Sequence, residues 1–390
     1  MCAHTSPPNQ QCAHAQQHVL SDHTPLCHDA TPDTQSSAFT HPTWSHRPFC
    51  ISNKPNIQYC TYTTSTSRTN HGLSIISTPT AADAISSAFP HAASARHVPA
   101  KRLDVRLIPG KGYGLVATQP IPRGATILLD SPRIIAAARF PTHVQRAEGA
   151  ELFAQALKRL PAADRELVFA LDKSLGGTEI EDIMKTNAFA CQLDDGGVED
   201  AYMCLFPSVA RINHACRPNA HARFIPRSLV MEVKALRNIE AGEEIGISYG
   251  RVDLKYAERK KLYEEGWNFT CTCDMCMAQE YVRKGSDQRR ARFAKLRKKL
   301  EGLTAETYDA QQIVVWEKEV MELSAKEGLD VLLAEDYERL AYVYAGHGMV
   351  NDARMWAEKA RGSLWEWTAV DGGPNNEMVR VEELLRELKG

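Results

Sequence analysis

Three cysteines fall within six residues at Cys271, Cys273 and Cys276, in the stretch Phe269-Thr270-Cys271-Thr272-Cys273-Asp274-Met275-Cys276. No other feature narrows the folds open to this chain as strongly. The CxCxxC spacing disfavours a local disulfide and suits wrapping around a tetrahedral ion. Three thiolates leave one corner of a zinc tetrahedron unfilled, and the other candidates in folded sequence are Cys191, Cys204 and Cys216 with nearby histidines. All of these lie far upstream, so a closed site requires a fold that returns the chain to its own middle. Eleven cysteines is an odd total, and the crowding favours metal over disulfides in a reducing compartment.

The chain has 390 residues, 43% of them apolar and 24% charged, enough for two or three folded units. Lys plus Arg number 46 against 48 Asp plus Glu, a net charge of −2, so no global basic field draws it to nucleic acid. No apolar run has signal-peptide or membrane-spanning length, which points to a soluble intracellular protein.

Residues 1–97 differ from the rest: they hold ten of the fourteen His, only three Leu and no Glu. Such composition predicts a disordered low-complexity tail, with Cys2, Cys12, Cys27, Cys50 and Cys60 as free thiols because their spacings match no zinc pattern. From about residue 98 to 250, short alternating strands with glycine turns resume, interrupted by helical spacing over about 142–190. A helix is expected over 254–265, stopping at Gly266. Residues 285–390 read as amphipathic helices, and 340–360 resemble one tetratricopeptide unit. The class is α+β.

Three further stretches carry chemistry. Gly110-Lys111-Gly112-Tyr113-Gly114 sits at a turn between two strands, where missing side chains let backbone approach a ligand; a plain tight turn uses the same residues. Asn213-His214-Ala215-Cys216-Arg217-Pro218-Asn219 packs two amides, an imidazole and a thiol into seven residues, more than an Asn-rich capping turn needs. Gly242-Glu243-Glu244-Ile245-Gly246-Ile247-Ser248-Tyr249 is an acidic turn feeding a strand that ends in a phenol, by itself an ordinary packing position.

Taken together with CxCxxC, these stretches resemble, over about 98–277, the SET-domain protein lysine methyltransferases, especially the SET and MYND type branch and its fungal relatives. The resemblance implies a SET-type mostly β fold with a helical insertion and a pseudoknot, a zinc-bound post-SET segment at 251–280, and a C-terminal tetratricopeptide-like bundle. It implies S-adenosylmethionine binding by Lys111, Gly112, Tyr113, Gly114, Asn187, Asn213, His214 and Phe269, with Asn187 in the segment Thr186-Asn187-Ala188-Phe189. Tyr249 would be the catalytic phenol, Trp267 and Tyr249 would line the lysine channel, and Cys216 would join Cys271, Cys273 and Cys276 on structural zinc. Two departures stand out. Ala215 replaces the usual Ser, and residues 131–185 contain no cysteine, so no MYND module is inserted there.

The implied partner is a protein bearing the target lysine, in the nucleus or the cytoplasm, with no membrane and no direct nucleic-acid contact. The alternative is a catalytically silent SET scaffold acting as a zinc-stabilised interaction module. Residues 283–299 hold nine Lys and Arg against Asp287; a solvated helix face is one reading, and an acidic partner or nuclear import signal is the other.

Overall fold

The computed structural model describes residues 41, 43–54, 57–65, 71–88, 102–193, 201–368 and 376–389. Cys2, Cys12 and Cys27 lie outside them, as does the expectation of disorder before residue 41. Residues 41–390 form one unit.

That unit begins inside the stretch read as a tail. Strands β1 (Phe49–Lys54), β2 (Ile57–Thr64) and β3 (Leu73–Ser77) are followed by helix α1 (Pro79–Ala88). Cys50 and Cys60 face each other across β1 and β2 and are disulfide-bonded, not free. Averaged composition hid this region. Locally, Ile-Gln-Tyr-Cys-Thr-Tyr-Thr-Thr and Leu-Ser-Ile-Ile-Ser are rich in β-branched and aromatic residues, which fit a pleated surface. Their hydroxyls are also satisfied when buried: Thr61 Oγ1 donates to the Leu152 carbonyl at 2.8 Å and Ser74 Oγ to that of Ala156 at 2.8 Å.

Next come the hairpin β4 (Leu103–Ile108) and β5 (Gly112–Ala117), then β6 (Thr126–Asp130) and β7 (Ile134–Ala137). Four helices follow: α2 (Phe140–His143), α3 (Arg146–Arg159), α4 (Ala162–Phe169) and α5 (Glu179–Asn187). Glu148 and Glu181 start α3 and α5 by accepting the backbone N–H of Gln145 and Thr178. The apolar stripe of α3, with Leu152, Phe153, Ala156 and Leu157 buried, lies on β2 and β3.

Strands β8 (Phe189–Cys191), β9 (Tyr202–Leu205), β10 (Asn213–His214), β11 (Ala220–Ile225), β12 (Val230–Ala235) and β13 (Gly246–Ile247) complete the sheets. Among the described residues the largest sheet runs β1-β2-β3-β7-β9-β8, a second runs β11-β12-β6, and β10 pairs in parallel with β13. Parallel pairing of β3 with β7, Ile75 opposite Ile135, ties the early strands to the centre of the chain. Cys191 and Cys204 are disulfide-bonded across β8 and β9, which removes both as candidate metal ligands.

The remainder is helical: α6 (Tyr256–Trp267), α7 (Asp274–Met277), α8 (Glu280–Glu301), α9 (Ala310–Glu327), α10 (Ala334–Gly346), α11 (Val350–Ser363) and α12 (Asn376–Glu387). Helix α6 runs through Gly266 and ends one residue past it, because Asn268 takes the left-handed conformation, φ 55°, that closes the helix. Part of the basic run on α8 pairs with acids of the same chain. Arg289 and Arg290 pair with Glu327, Arg292 with Glu319, Arg297 with Glu335, and Lys284 with Glu280. Five of the nine basic residues in 283–299 are thus paired with carboxylates of the chain.

Candidate active site and thiol cluster

A cavity of about 550 Å³ opens where β10, β13, the β4–β5 turn, the C-terminal end of α5 and the segment after α6 converge. Its size is that of a small-molecule site, roughly 300–1,000 Å³. Lys111, Gly112, Asn187, Asn213, His214, Tyr249, Trp267 and Phe269, eight of the residues singled out in the sequence, all line it.

Tyr249 follows β13, and the parallel pairing of Asn213 with Gly246 and His214 with Ile247 puts it beside the Asn-His pair. Its phenol donates to the Ile212 carbonyl at 2.8 Å, and its backbone N–H donates to His214 Nδ1 at 3.2 Å. Burial, and then the negative charges of Asp172 and Glu244, push the phenol well above its usual pKa, so it keeps its proton. Trp267 lies 5.4 Å from the Tyr249 ring, and Phe269 stacks on Tyr263 at 5.5 Å.

Glycine is required in the β4–β5 turn for two different reasons. Gly112 has φ +79°, and a Cβ on Gly114 would sit 2.6 Å from Asn213 Nδ2 and 2.9 Å from Glu244 Oε1. Gly114 therefore packs against the site without lining it. Tyr113 does not line the cavity. Strand alternation turns it to the opposite face, where it is 51% exposed with the Arg211 guanidinium 6.0 Å above its ring.

Glu244 organises the polar end of the cavity, a role the sequence did not reveal. It accepts from Lys111 Nζ at 2.6 Å and from Asn213 Nδ2 at 2.9 Å, which orients the Asn213 amide. Asn219 pins the same turn, accepting from Gly246 N–H at 2.8 Å and donating to the Glu244 carbonyl at 2.8 Å. Asp172 also lines the cavity, and its carbonyl accepts from Asn187 Nδ2 at 2.8 Å. No local pattern marks Asp172; the bend after α4 delivers it.

The four sulfurs of Cys216, Cys271, Cys273 and Cys276 lie within 4.8 Å of one another, with Cys216 3.5 Å from Cys276 and 3.9 Å from Cys271. Tetrahedral zinc with Zn–S of about 2.3 Å needs sulfurs about 3.8 Å apart, so this donor set fits a metal ion. Cys271 lines the cavity as well, so site and cluster share a wall. His214 joins them. Because Nδ1 accepts from Tyr249, its proton sits on Nε2, which points at Cys216 Sγ from 3.2 Å.

Among the described residues no helix is long and apolar enough to cross a membrane. Residues 112–250 match the SET domain family. Histone-lysine N-methyltransferase set5 of Schizosaccharomyces pombe is 32% identical over 188 residues, 48% of this chain and 54% of that protein. Protein-lysine N-trimethyltransferase SMYD5 of Gallus gallus is 43% identical over 72 residues, and Histone-lysine N-methyltransferase SMYD3 of Mus musculus 37% over 76, each match covering 17% of the relative. The chain thus spans about half of set5 and a smaller part of the SMYD proteins. Its matched glycine turn, Asn-His strand and Tyr-ended strand are the ones that build the cavity, and residues 112–250 are a SET domain in a chain whose relatives are lysine methyltransferases of the set5 and SMYD kinds.

Proposed function

We propose that this protein is an S-adenosylmethionine-dependent protein-lysine N-methyltransferase. One observation carries the reading: a proton-retaining phenol, Tyr249, at the junction of a polar end built on Glu244 and an aromatic wall of Trp267 and Phe269. S-adenosylmethionine would supply an electrophilic methyl group on a sulfonium.

Lys111, Gly112, Asn187, Asn213, His214 and Phe269 are the residues that would hold it, with Gly114 supporting the turn from behind. The cation suits a cavity lined by Asp172, with Glu244 behind Lys111 and Asn213. Trp267 and Tyr249 would border the lysine channel. A free lysine amine has a pKa near 10.4, so about one in a thousand is neutral at pH 7. An aromatic wall and a nearby cation both disfavour the ammonium, so no strong base is required. With its O–H donating to the Ile212 carbonyl, the Tyr249 oxygen offers an acceptor that orients the amine.

Structural zinc on Cys216, Cys271, Cys273 and Cys276 would hold the segment bearing Trp267 and Phe269 over the Asn-His strand. The hairpin of α10 and α11 is read as tetratricopeptide-like, bordering the groove for a protein substrate in the nucleus or cytoplasm.

The test is incubation with methyl-labelled S-adenosylmethionine and histone or lysate proteins, followed by mass spectrometry. Label on lysine side chains is expected. Cofactor binding without transfer to any lysine would overturn the reading in favour of a silent scaffold.

A further inference from the structure

The bend between α4 and α5 forms one rim of the cavity. Asp172 and Ser174 line the cavity from this bend, as Trp267, Phe269 and Thr270 do from the segment after α6. Two contacts show that the bend reaches both the glycine turn and that segment. A Cβ on Gly112 would lie 3.8 Å from Asp172 Oδ2, and the Asn268 side-chain amide donates to the Ser174 carbonyl at 3.2 Å.

One carboxylate gathers the bend. Asp182, in the first turn of α5, accepts the consecutive backbone N–H groups of Ser174, Leu175 and Gly176 at 2.9, 2.8 and 2.9 Å, and the Thr186 hydroxyl at 2.9 Å. Gly176 and Gly177 take φ of 72° and 117°, which turns the chain back into the helix. The other ties are fewer. Asn187 Nδ2 donates to the Asp172 carbonyl at 2.8 Å, Thr186 Oγ1 accepts weakly from the Ser174 N–H at 3.2 Å, and Lys173 pairs with Glu179 at 2.6 Å on the surface, where an ion pair contributes little. Hydrogen bonds to a carboxylate are stronger than those between neutral groups, so Asp182 is the main anchor of the rim.

Neither Asp182 nor Asn268 lines the cavity. We propose that Asp182 is a positioning residue for nucleotide retention: it holds residues 172–176 where the Asn268–Ser174 hydrogen bond can clasp the two rims together, and this pairing sets how fast a bound S-adenosyl nucleotide leaves. The inference rests on the cofactor reading above and goes beyond it, because it assigns retention to two residues outside the set that would hold the cofactor.

The experiment uses the full-length chain and tritiated S-adenosylhomocysteine, whose release is timed during a chase with unlabelled compound. Melting temperature and turnover at saturating S-adenosylmethionine are measured beside it. Asp182→Asn sets an amide NH2 against a backbone N–H, and Asp182→Ala removes all four bonds; both should release the nucleotide at least about tenfold faster than wild type. Asn268→Gly keeps the left-handed backbone and Asn268→Asp keeps the shape, but neither can donate to the Ser174 carbonyl, so both should release it at least about threefold faster. Adding Asn268→Gly to Asp182→Asn should change the rate by less than about twofold, since the clasp already lacks its anchored partner. Turnover at saturation should not fall. Wild-type release rates in the Asp182→Asn and Asn268→Gly variants would overturn the inference, as would effects that multiply in the double variant, or a turnover that falls with melting temperature while release is unchanged. If Asp182→Ala does not fold, Asp182→Asn and Asn268→Gly decide the matter. A wild-type chain that binds no S-adenosylhomocysteine would instead overturn the cofactor reading, and this inference with it.

Discussion

Two contacts decide what Tyr249 can do. Its hydroxyl hydrogen goes to the Ile212 carbonyl, and its backbone N–H goes to His214, so the phenol is located from both ends. Phenylalanine at 249 keeps the ring and the backbone bond but loses the oxygen. Tyr249→Phe is expected to cut methyl transfer by about 10²-fold or more while cofactor affinity changes by less than about threefold, read by turnover beside calorimetric titration. Equal turnover would remove the phenol from the reaction. Small residues matter as much as polar ones here. A Cβ on Gly246 would sit 2.8 Å from the Cβ of Ala215, so glycine is needed opposite that alanine. The motif residues were legible because they are adjacent in the chain. Glu244 and Asp172 were not, because their importance comes from what the fold sets beside them.

Elements show where composition misleads. A window of nearly a hundred residues averaged polar, His-rich sequence with two short runs that form strands, so β2 and β3 were read as tail. Ile76 on β3 is fully buried, with Thr61 beside it on β2 and Ala136 on β7. Ile76→Ala should lower stability by about 2–5 kcal/mol in denaturant unfolding, where the same change in an unpacked tail would leave the midpoint unmoved. The helices over 140–187 and from 256 onward were easier to read, because 3.6-residue periodicity is a local signal. Strand partners are not local: nothing within Leu73–Ser77 announces that Ile134–Ala137 will pair with it.

At the scale of the molecule, the C-terminal helices are bound into the site. Arg217, inside the Asn-His stretch, donates to the Lys326 carbonyl near the end of α9. Glu327, the next residue, accepts from Arg289, Arg290 and Ser286, while Arg290 also reaches the Met275 sulfur in the cysteine segment. Removing the carboxylate would strand a buried guanidinium, at a cost of about 3–5 kcal/mol. Glu327→Ala is accordingly expected to lower the melting temperature and to speed zinc loss together, with Glu327→Gln milder in both; a drop in melting temperature with unchanged zinc release would separate the helical bundle from the cysteine segment. The amino-acid order alone specified the glycine turn, the Asn-His strand, the terminal phenol and the CxCxxC run, since each depends on neighbours a few residues apart. Which distant sulfur completes the cluster, which carboxylate governs Asn213, and which charges on α8 are already spent were decided only by tertiary packing. Desolvation there leaves each buried charge or sulfur dependent on partners far away in the chain.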